Sequence, residues 1–314
     1  MARKKRASLF NQFVVALSSN FNEGTKKHSY KKEYGREQDA KIFSYGDYNH
    51  TVDIAKSFAK FVRTQYPEIH NAYEITNFHV AAFLNEKSKS CNMKTLATYT
   101  SRLNHLARAL EKSDPGVKLH GGTSWNMPKP KGYTKQAKIR DVWMTDEDRE
   151  KLENYLTTKT DSASKRALVI ALATGLRVHE CVTLTGNGID EIDRMVRGKG
   201  KGGRHYETRI KDEYIDLLAR YKERFGDEVI ANVKSDSVNR YLHACLKECN
   251  IDEKYRENRT GVHSIRKNVA QDYYEELVNG GKTHIQASSI VSRNLSHGKY
   301  RVDVDRNYIK SKEK

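Results

Sequence analysis

The second half of the chain contains six side chains whose types suit the cleavage of a phosphodiester. Attack on such a bond builds negative charge on the non-bridging oxygens, and a guanidinium can bind two of them while it stays charged at any working pH. Histidine and lysine can move protons, and the phenol of tyrosine is a nucleophile that can hold a phosphate covalently. Charge neutralisation, proton transfer and covalent catalysis are therefore all available. The candidates are Arg177, Lys199, His263, Arg266, His297 and Tyr308.

These residues lie in four short motifs. The motifs are Thr174-Gly-Leu-Arg177-Val-His-Glu180, Arg197-Gly-Lys199-Gly-Lys201, His263-Ser-Ile-Arg266 and the segment from Ser292 to Tyr308. Each side chain alone is more often a solvated or structural residue, and the ordered set carries the interpretation. That set resembles the tyrosine recombinases, in particular the integrases of phages and mobile elements. The resemblance covers residues 45–314 and is strongest over 141–314.

The resemblance implies a fold and an activity. The fold is mainly α with a small β-sheet (α+β), in which an all-helical, SAM-like core-binding domain precedes a tyrosine recombinase catalytic domain. The activity is site-specific DNA recombination through a 3'-phosphotyrosyl intermediate, which serves the integration or excision of a mobile element. Because the tyrosyl ester keeps the energy of the broken bond, no cofactor and no metal are expected. The expected partners are double-stranded DNA with specific sites, a homotetramer on two duplexes and accessory DNA-bending or directionality proteins.

Arg177 and Arg266 are the expected phosphate clamp. His263 precedes Arg266 by three residues and therefore shares its helix face, so that it can reach the same phosphate. By resemblance, His263 assists proton transfer or hydrogen-bonds the phosphate, and His297 donates a further bond to a non-bridging oxygen. Glu180 matches an acidic position of the family and is expected to orient the arginine or a histidine.

Lys199 lies in a glycine-rich turn that we expect to be a hairpin loop. By resemblance it is the general acid that protonates the leaving 5' oxygen, and Lys201 is the alternative. Both lysines can swing towards a duplex from such a loop.

Tyr308 is the expected nucleophile, and Tyr300 is the competing candidate. Tyr308 lies eleven positions after His297 and Tyr300 lies three after it, whereas the family usually has about nine. The residues from Arg301 to Tyr308 nonetheless resemble the segment before the family's nucleophile, so a two-residue insertion is the simpler account. Ser296 stands where the family commonly has glycine. The six residues after Tyr308 look too short for the helix that many relatives exchange between protomers.

Composition supports a polyanionic partner. The chain has 57 Lys and Arg against 40 Asp and Glu, a formal charge of +17 and a pI near 9.5, which favours nucleic acid. No apolar run approaches the roughly 20 residues of a membrane-spanning helix, and the mean hydropathy is -0.82. Four scattered cysteines suit a reducing compartment without disulfides or a zinc site. We therefore expect a cytoplasmic, nucleoid-associated protein.

Hydrophobic periodicity divides the chain into four parts. We expect a basic, loosely ordered arm over residues 1–44, a helical domain over 45–113 with Phe78 on its apolar face, a basic extended linker over 114–140 and the catalytic domain over 141–314. In the last part, the pattern predicts helices after Thr145, over 167–173, 212–225, 236–249, 262–277 and 283–295, with a hairpin over 195–210.

Three other classes are alternatives to the recombinase. A type IB topoisomerase shares the chemistry but nicks and reseals one duplex as a monomer, and a helical domain joined by a linker favours the recombinase. A catalytically inactive DNA-binding relative is disfavoured because every expected catalytic position is filled. A helix-turn-helix regulator lacks a clear recognition-helix pattern here.

Overall fold

A computed structural model of the chain describes residues 7–25, 27–35, 40–113, 125, 127–128, 130, 143–200, 203–251, 255, 261–298, 305 and 307–310. The chain divides into two compact units, residues 1–137 and 138–314. Most described residues are helical, and the second unit adds a small sheet. The predicted fold class is therefore confirmed.

The first unit is helical. Its helices are α1 (Leu9–Ser19), α2 (Lys27–Tyr34), α3 (Tyr45–Gln65), α4 (Asn77–Ser88) and α5 (Met93–Ser113), with a short 3-10 turn at Ala72–Glu74. Apolar residues at helical spacing on α3 and α5 form one core with those of α4. The expectation that Phe78 lies on the apolar face of α4 is wrong, because its side chain is 67% exposed. Phe83 and Leu84 cover the core instead.

Two segments outside the predicted helical domain contribute to this core. The predicted arm is not loosely ordered at α1, since Leu9, Phe13 and Leu17 are buried there and the Phe13 ring stacks on Phe58 at 6.0 Å between centroids. Trp125, which we placed in the extended linker, is also buried and donates its Nε1–H to the carbonyl of Ile75 at 3.0 Å. Burial of these large apolar side chains accounts for the difference. The other boundaries stay predictions.

The second unit is built around one buried helix. Its helices are α6 (Asp146–Thr158), α7 (Ala163–Thr174), α8 (Val178–Cys181), α9 (Ile215–Phe225), α10 (Ser235–Glu248), α11 (Val262–Asn279) and α12 (His284–Asn294). Every residue of α7 from Ala167 to Thr174 is buried, as the apolar run predicts. Helices α10 and α11 pack against it. Thr145 and Thr283 cap α6 and α12 through their hydroxyls, so both predicted helix starts are confirmed.

The sheet of the second unit is antiparallel, with the order β1 (Ile189–Asp190), β2 (Met195–Lys199) and β3 (His205–Arg209). Strands β2 and β3 form the predicted hairpin, with Lys199 opposite His205. The short β1 was not predicted, because two residues are too few for a periodic signal. Thr208 and Arg209 bind the carbonyl and the side chain of Asn294, which attaches β3 to the end of α12.

Candidate active site

The first motif forms a sharp corner at the end of α7. Gly175 terminates the helix with a positive φ of 66°, a conformation that glycine adopts without steric cost. A Cβ atom at this position would lie 3.1 Å from the side chain of Val269 on α11. The corner therefore fixes the next residues, including Arg177, against α11.

Arg177 is held by the buried carboxylate of Glu180. The backbone N–H of Arg177 donates to Glu180 Oε2 at 2.9 Å, and its Nη1 donates to Oε1 at 2.9 Å. Glu180 is 1% exposed, whereas the Arg177 side chain is 31% exposed. Glu180 thus holds Nη1 of the guanidinium, while about a third of the Arg177 side chain stays exposed. These contacts support the expectation that Glu180 orients the arginine, which stays a prediction.

Arg266 is almost completely buried, with an exposure of 1%. Its Nη1 donates to the carbonyl of Gly175 at 2.5 Å and its Nη2 donates to the carbonyl of Leu295 at 2.6 Å. Gly175 and Leu295 are the C-cap residues of α7 and α12. Arg266 therefore lies at two helix C-termini, where the helix dipole favours a cation. Burial lowers the pKa of Arg266, and the neighbouring Tyr308 opposes that change. A guanidinium remains charged near neutral pH even so.

His297 is positioned by the turn that ends α12. The N–H of His297 donates to the carbonyl of Ser292 and that of Ser296 donates to the carbonyl of Arg293, which is a Schellman motif. Ser296 has a φ of 58°, a left-handed conformation that explains why glycine would suit this position. The motif brings His297 Nε2 to 3.2 Å from Arg177 Nη2.

Tyr308 lies beside three of the basic residues predicted for the site. The centroid of its ring is 5.3 Å from that of His263, 5.7 Å from that of His297 and 5.7 Å from Cζ of Arg266. Its side chain is 7% exposed and packs in a small apolar cluster of α11 and α12. The structure therefore brings five of the six candidates together, namely Arg177, His263, Arg266, His297 and Tyr308.

The hairpin that carries Lys199 approaches the same group through its backbone. A Cβ atom on Gly200 would lie 2.8 Å from Glu180 Oε1, so the hairpin backbone passes directly beside the carboxylate that holds Arg177. Lys199 is the last residue of β2 and is exposed. Lys201 and Tyr300 lie outside the described residues.

Tyr206 is a site residue that the sequence patterns did not reveal. Its ring covers Gly198, where any Cβ would overlap the phenol, and it also borders Gly200. Burial, with Glu180 nearby, raises the pKa of Tyr206 well above its usual value. The alternation of β3, which buries Tyr206 and Thr208 and exposes His205 and Glu207, was the available signal. Tyr206 supports the hairpin as a neutral phenol.

Two other features are absent from the residues that the structure describes. No group of three or more His, Cys, Asp or Glu side chains there could hold a metal ion. None of the helices in that part of the chain is long and apolar enough to cross a membrane.

Comparison with known proteins gives a family and a fold. Residues 142–282 match the phage integrase family, and this segment contains Arg177, Lys199, His263 and Arg266 but ends before His297 and Tyr308. No curated protein sequence matches the chain. The family that the motifs resemble is thus the one that these residues match.

Three solved structures have a similar fold. The XerH site-specific recombinase bound to difH substrate is 15% identical, with 99% of this chain and 95% of that chain covered and a TM-score of 0.64. A lambda integrase tetramer bound to a Holliday junction is 17% identical, with 88% and 78% covered and a TM-score of 0.52. The Tn1549 transposon integrase in complex with transposon right end DNA is 12% identical, with 97% and 96% covered and a TM-score of 0.54.

Proposed function

Because residues 142–282 match the phage integrase family, we propose that the chain is a site-specific tyrosine recombinase that integrates or excises a mobile element. The observation that carries the proposal is the position of Tyr308. Its ring lies against His263, His297 and Arg266 within a single chain. A phenol beside two imidazoles and a guanidinium is what a covalent attack on a phosphodiester requires.

In the proposed reaction, Tyr308 Oη attacks the scissile phosphorus. The phenol gives its proton to His263, and the phosphorus–O5' bond breaks as the phosphorus–Oη bond forms. Arg177, Arg266 and His297 bind the non-bridging oxygens, on which negative charge increases in the transition state. Glu180 holds Arg177 in place for this purpose. The product is a 3'-phosphotyrosyl linkage.

Lys199 protonates the leaving 5' oxygen, so that a neutral 5' hydroxyl is released. The reverse reaction, in which a 5' hydroxyl from a second duplex attacks the phosphotyrosyl ester, rejoins the strands. One phosphoester replaces another at each step, and the exchange therefore consumes no nucleotide cofactor. Tyr308 and the cationic residues come from the same chain, so each protomer cleaves with its own nucleophile.

The first unit offers a separate basic surface for the DNA backbone. Among the described residues, a groove between α3, α5 and the segment around Lys41 is lined by several cations and by one carboxylate, Asp47, which is paired with Arg102. Excess positive charge on one face is the electrostatic footprint of a duplex-binding protein. We infer that this groove binds the phosphates of the DNA backbone. The protein would then act in the cytoplasm, on nucleoid DNA. Its cations are Lys27, Lys41, Lys94, Arg102 and Arg108.

Strand exchange between two duplexes involves four strand cleavages, and lambda integrase has been described as a tetramer bound to a Holliday junction. We infer the same assembly for this chain. Accessory DNA-bending or directionality proteins would then decide between integration and excision.

Covalent capture on DNA of mixed sequence tests the proposal. A pool of nicked duplexes with randomised sequence is incubated with the full-length protein, because a nick beside the cleaved bond lets the short 5' hydroxyl fragment diffuse away and traps the adduct. We expect an adduct with the wild-type protein and with Tyr300→Phe, and none with Tyr308→Phe. Sequencing the trapped DNA would give the preferred site.

Further outcomes distinguish the alternatives. An adduct that vanishes in Tyr300→Phe and persists in Tyr308→Phe would assign the nucleophile to Tyr300. Relaxation of a supercoiled plasmid without strand exchange between two labelled duplexes would indicate a topoisomerase-like enzyme. Tight binding without any adduct would indicate an inactive relative.

A further inference from the structure

Tyr308 lies on a helical turn that begins at Asp305. The N–H of Ile309 donates to the carbonyl of Asp305 at 3.0 Å, which closes this turn around Tyr308. The Asp305 side chain points to α12, where its Oδ1 accepts a hydrogen bond from Oγ of Ser288 at 2.7 Å. Ser288 is 2% exposed, so the hydroxyl end of this contact is shielded from water. We call Asp305 and residues 307–310 the nucleophile segment.

The second oxygen of the same carboxylate faces His284. Asp305 Oδ2 lies 3.4 Å from His284 Nε2, and Nδ1 of that imidazole shares a hydrogen bond of 2.8 Å with the phenol of Tyr274 on α11. Both oxygens of Asp305 therefore have partners on α12, and one of these partners is itself fixed by α11. The Asp305 side chain is 18% exposed.

The other end of the nucleophile segment has its own contact. The N–H of Lys310 donates to Oε1 of Gln271 on α11 at 2.7 Å. Between the two ends, Tyr308 and Ile309 pack against Ala270, Val291 and Leu295. Two buried side chains offer little apolar area against the conformational entropy lost on ordering a turn. The polar contacts at the ends are therefore needed to keep Tyr308 in place.

We propose that Asp305 is a positioning residue, which docks the nucleophile segment onto α11 and α12 through Ser288 and His284 and thereby sets the position of the Tyr308 hydroxyl. Asp305 itself does not contact the reacting atoms. It acts through the turn that it begins, three residues before Tyr308. The kinetic part of this inference rests on the proposed function, whereas the docking part does not.

Amide hydrogen exchange of the full-length protein without DNA tests the docking directly. The amides of Ile309 and Lys310 donate to Asp305 and Gln271, so their exchange reports whether the segment is docked. Asp305→Ala and Ser288→Ala should each speed exchange at these amides by about tenfold or more. Asp305→Asn keeps an oxygen that can accept from Ser288 and should stay within about threefold of the wild type. Asp236→Ala removes an equal charge from an exposed site on α10 and should change nothing.

Single-turnover cleavage of the captured duplex tests the kinetic consequence. Misplacement of a reacting atom by about 1 Å costs on the order of a hundredfold, so Asp305→Ala and Ser288→Ala should cleave about ten- to a hundredfold more slowly while the Kd for DNA stays within about twofold. The double variant should be no slower than the slower single variant, because both remove the same contact. Rescue by Asp305→Asn would distinguish positioning from a general loss of structure.

The two measurements test the docking and the proposed function independently. If the wild type forms no adduct, the proposed function is wrong, and exchange alone still decides whether Asp305 docks the segment. Unchanged exchange in both Asp305→Ala and Ser288→Ala would overturn the inference. Faster exchange with an unchanged cleavage rate would also overturn it, because docking would then have no effect on the nucleophile.

Discussion

The carboxylate of Glu180 binds Arg177 at two points, the backbone N–H and the guanidinium, each at 2.9 Å. One buried acid therefore fixes both the start of α8 and the direction of the arginine side chain. The opposite side of the guanidinium approaches His297 at 3.2 Å. Three side chains in contact, from the buried acid to the histidine, consequently form one side of the proposed phosphate site.

We predict that Glu180→Gln slows cleavage about tenfold and Glu180→Ala about a hundredfold, with little loss of DNA affinity. Gln keeps an oxygen for the backbone N–H but loses the charge that holds the guanidinium. Ala loses both contacts and should reduce the free energy of unfolding by about 1–3 kcal/mol. Single-turnover cleavage and urea unfolding would measure the two effects.

Glu207→Gln is the matched control for this prediction. Glu207 also binds an arginine, Arg197, at 2.8 Å, but its side chain is 55% exposed. A pair of that kind contributes at most about 1 kcal/mol, and we expect normal cleavage. Equal losses in the Glu180 and Glu207 variants would show that the Arg177 contact has no special role.

Substitution of either arginine should slow cleavage to a similar extent, whereas only substitution of Arg266 should strongly lower the free energy of unfolding. Arg177→Ala and Arg266→Ala should each slow cleavage about a hundred- to a thousandfold, the usual cost of losing one preorganised donor. Arg266→Ala also leaves the carbonyls of Gly175 and Leu295 without donors, at about 1–3 kcal/mol each. Arg266→Lys should destabilise as well, because one ammonium does not reproduce the planar fork. Near-normal cleavage in both alanine variants would mean that the phosphate site lies elsewhere.

Arg240→Ala provides the reference for both arginine variants. Arg240 pairs with Asp236 on α10, and its side chain is 74% exposed. Loss of this exposed charge should alter unfolding by less than about 1 kcal/mol. Urea unfolding of the three variants, compared with their cleavage rates, would separate a role in folding from a role in the reaction.

Much of this site could be predicted from local sequence. The apolar run of α7 followed by Gly175 predicts a buried helix and a corner, and the spacing of His263 and Arg266 predicts one helix face. Glycines around Lys199 predict a hairpin. Each of these signals depends only on residues that are near one another along the chain.

The parts that could not be predicted depend on contacts between distant residues. The approach of Gly200 to Glu180 and the bond between Ser288 and Asp305 are set by packing of whole elements, for which a single sequence has no periodic signal. The burial of α1 likewise depends on a contact between distant residues, the stacking of Phe13 on Phe58. The burial of Trp125 similarly depends on a distant residue, because its Nε1–H donates to the carbonyl of Ile75.

The close approach of the hairpin to Glu180 gives a further prediction. An alanine at position 200 would place a methyl group 2.8 Å from Glu180 Oε1, so the hairpin or the carboxylate must move. We expect Gly200→Ala to slow cleavage about tenfold or more through this displacement.

Gly46→Ala is the control for the added methyl group. Gly46 lies in the first turn of α3, and a Cβ there meets no atom within 4 Å. The substitution should leave cleavage unchanged and should not lower stability, because alanine is the better helix former. Cleavage by Gly200→Ala at the wild-type rate would show that the hairpin moves freely past Glu180.

The last prediction assigns the general acid by its role. An alkoxide is a poor leaving group and needs a proton, whereas a thiolate leaves without one, so sulfur at the bridging 5' position should rescue a variant that lacks the acid. Lys199→Ala should cleave ordinary DNA slowly and the 5'-phosphorothiolate duplex much faster. Lys201→Ala, if that lysine binds only the backbone, should lose affinity and some salt dependence and gain nothing from sulfur. Rescue confined to Lys201→Ala would move the acid two residues along the hairpin, and rescue of neither variant would remove both lysines from the chemistry.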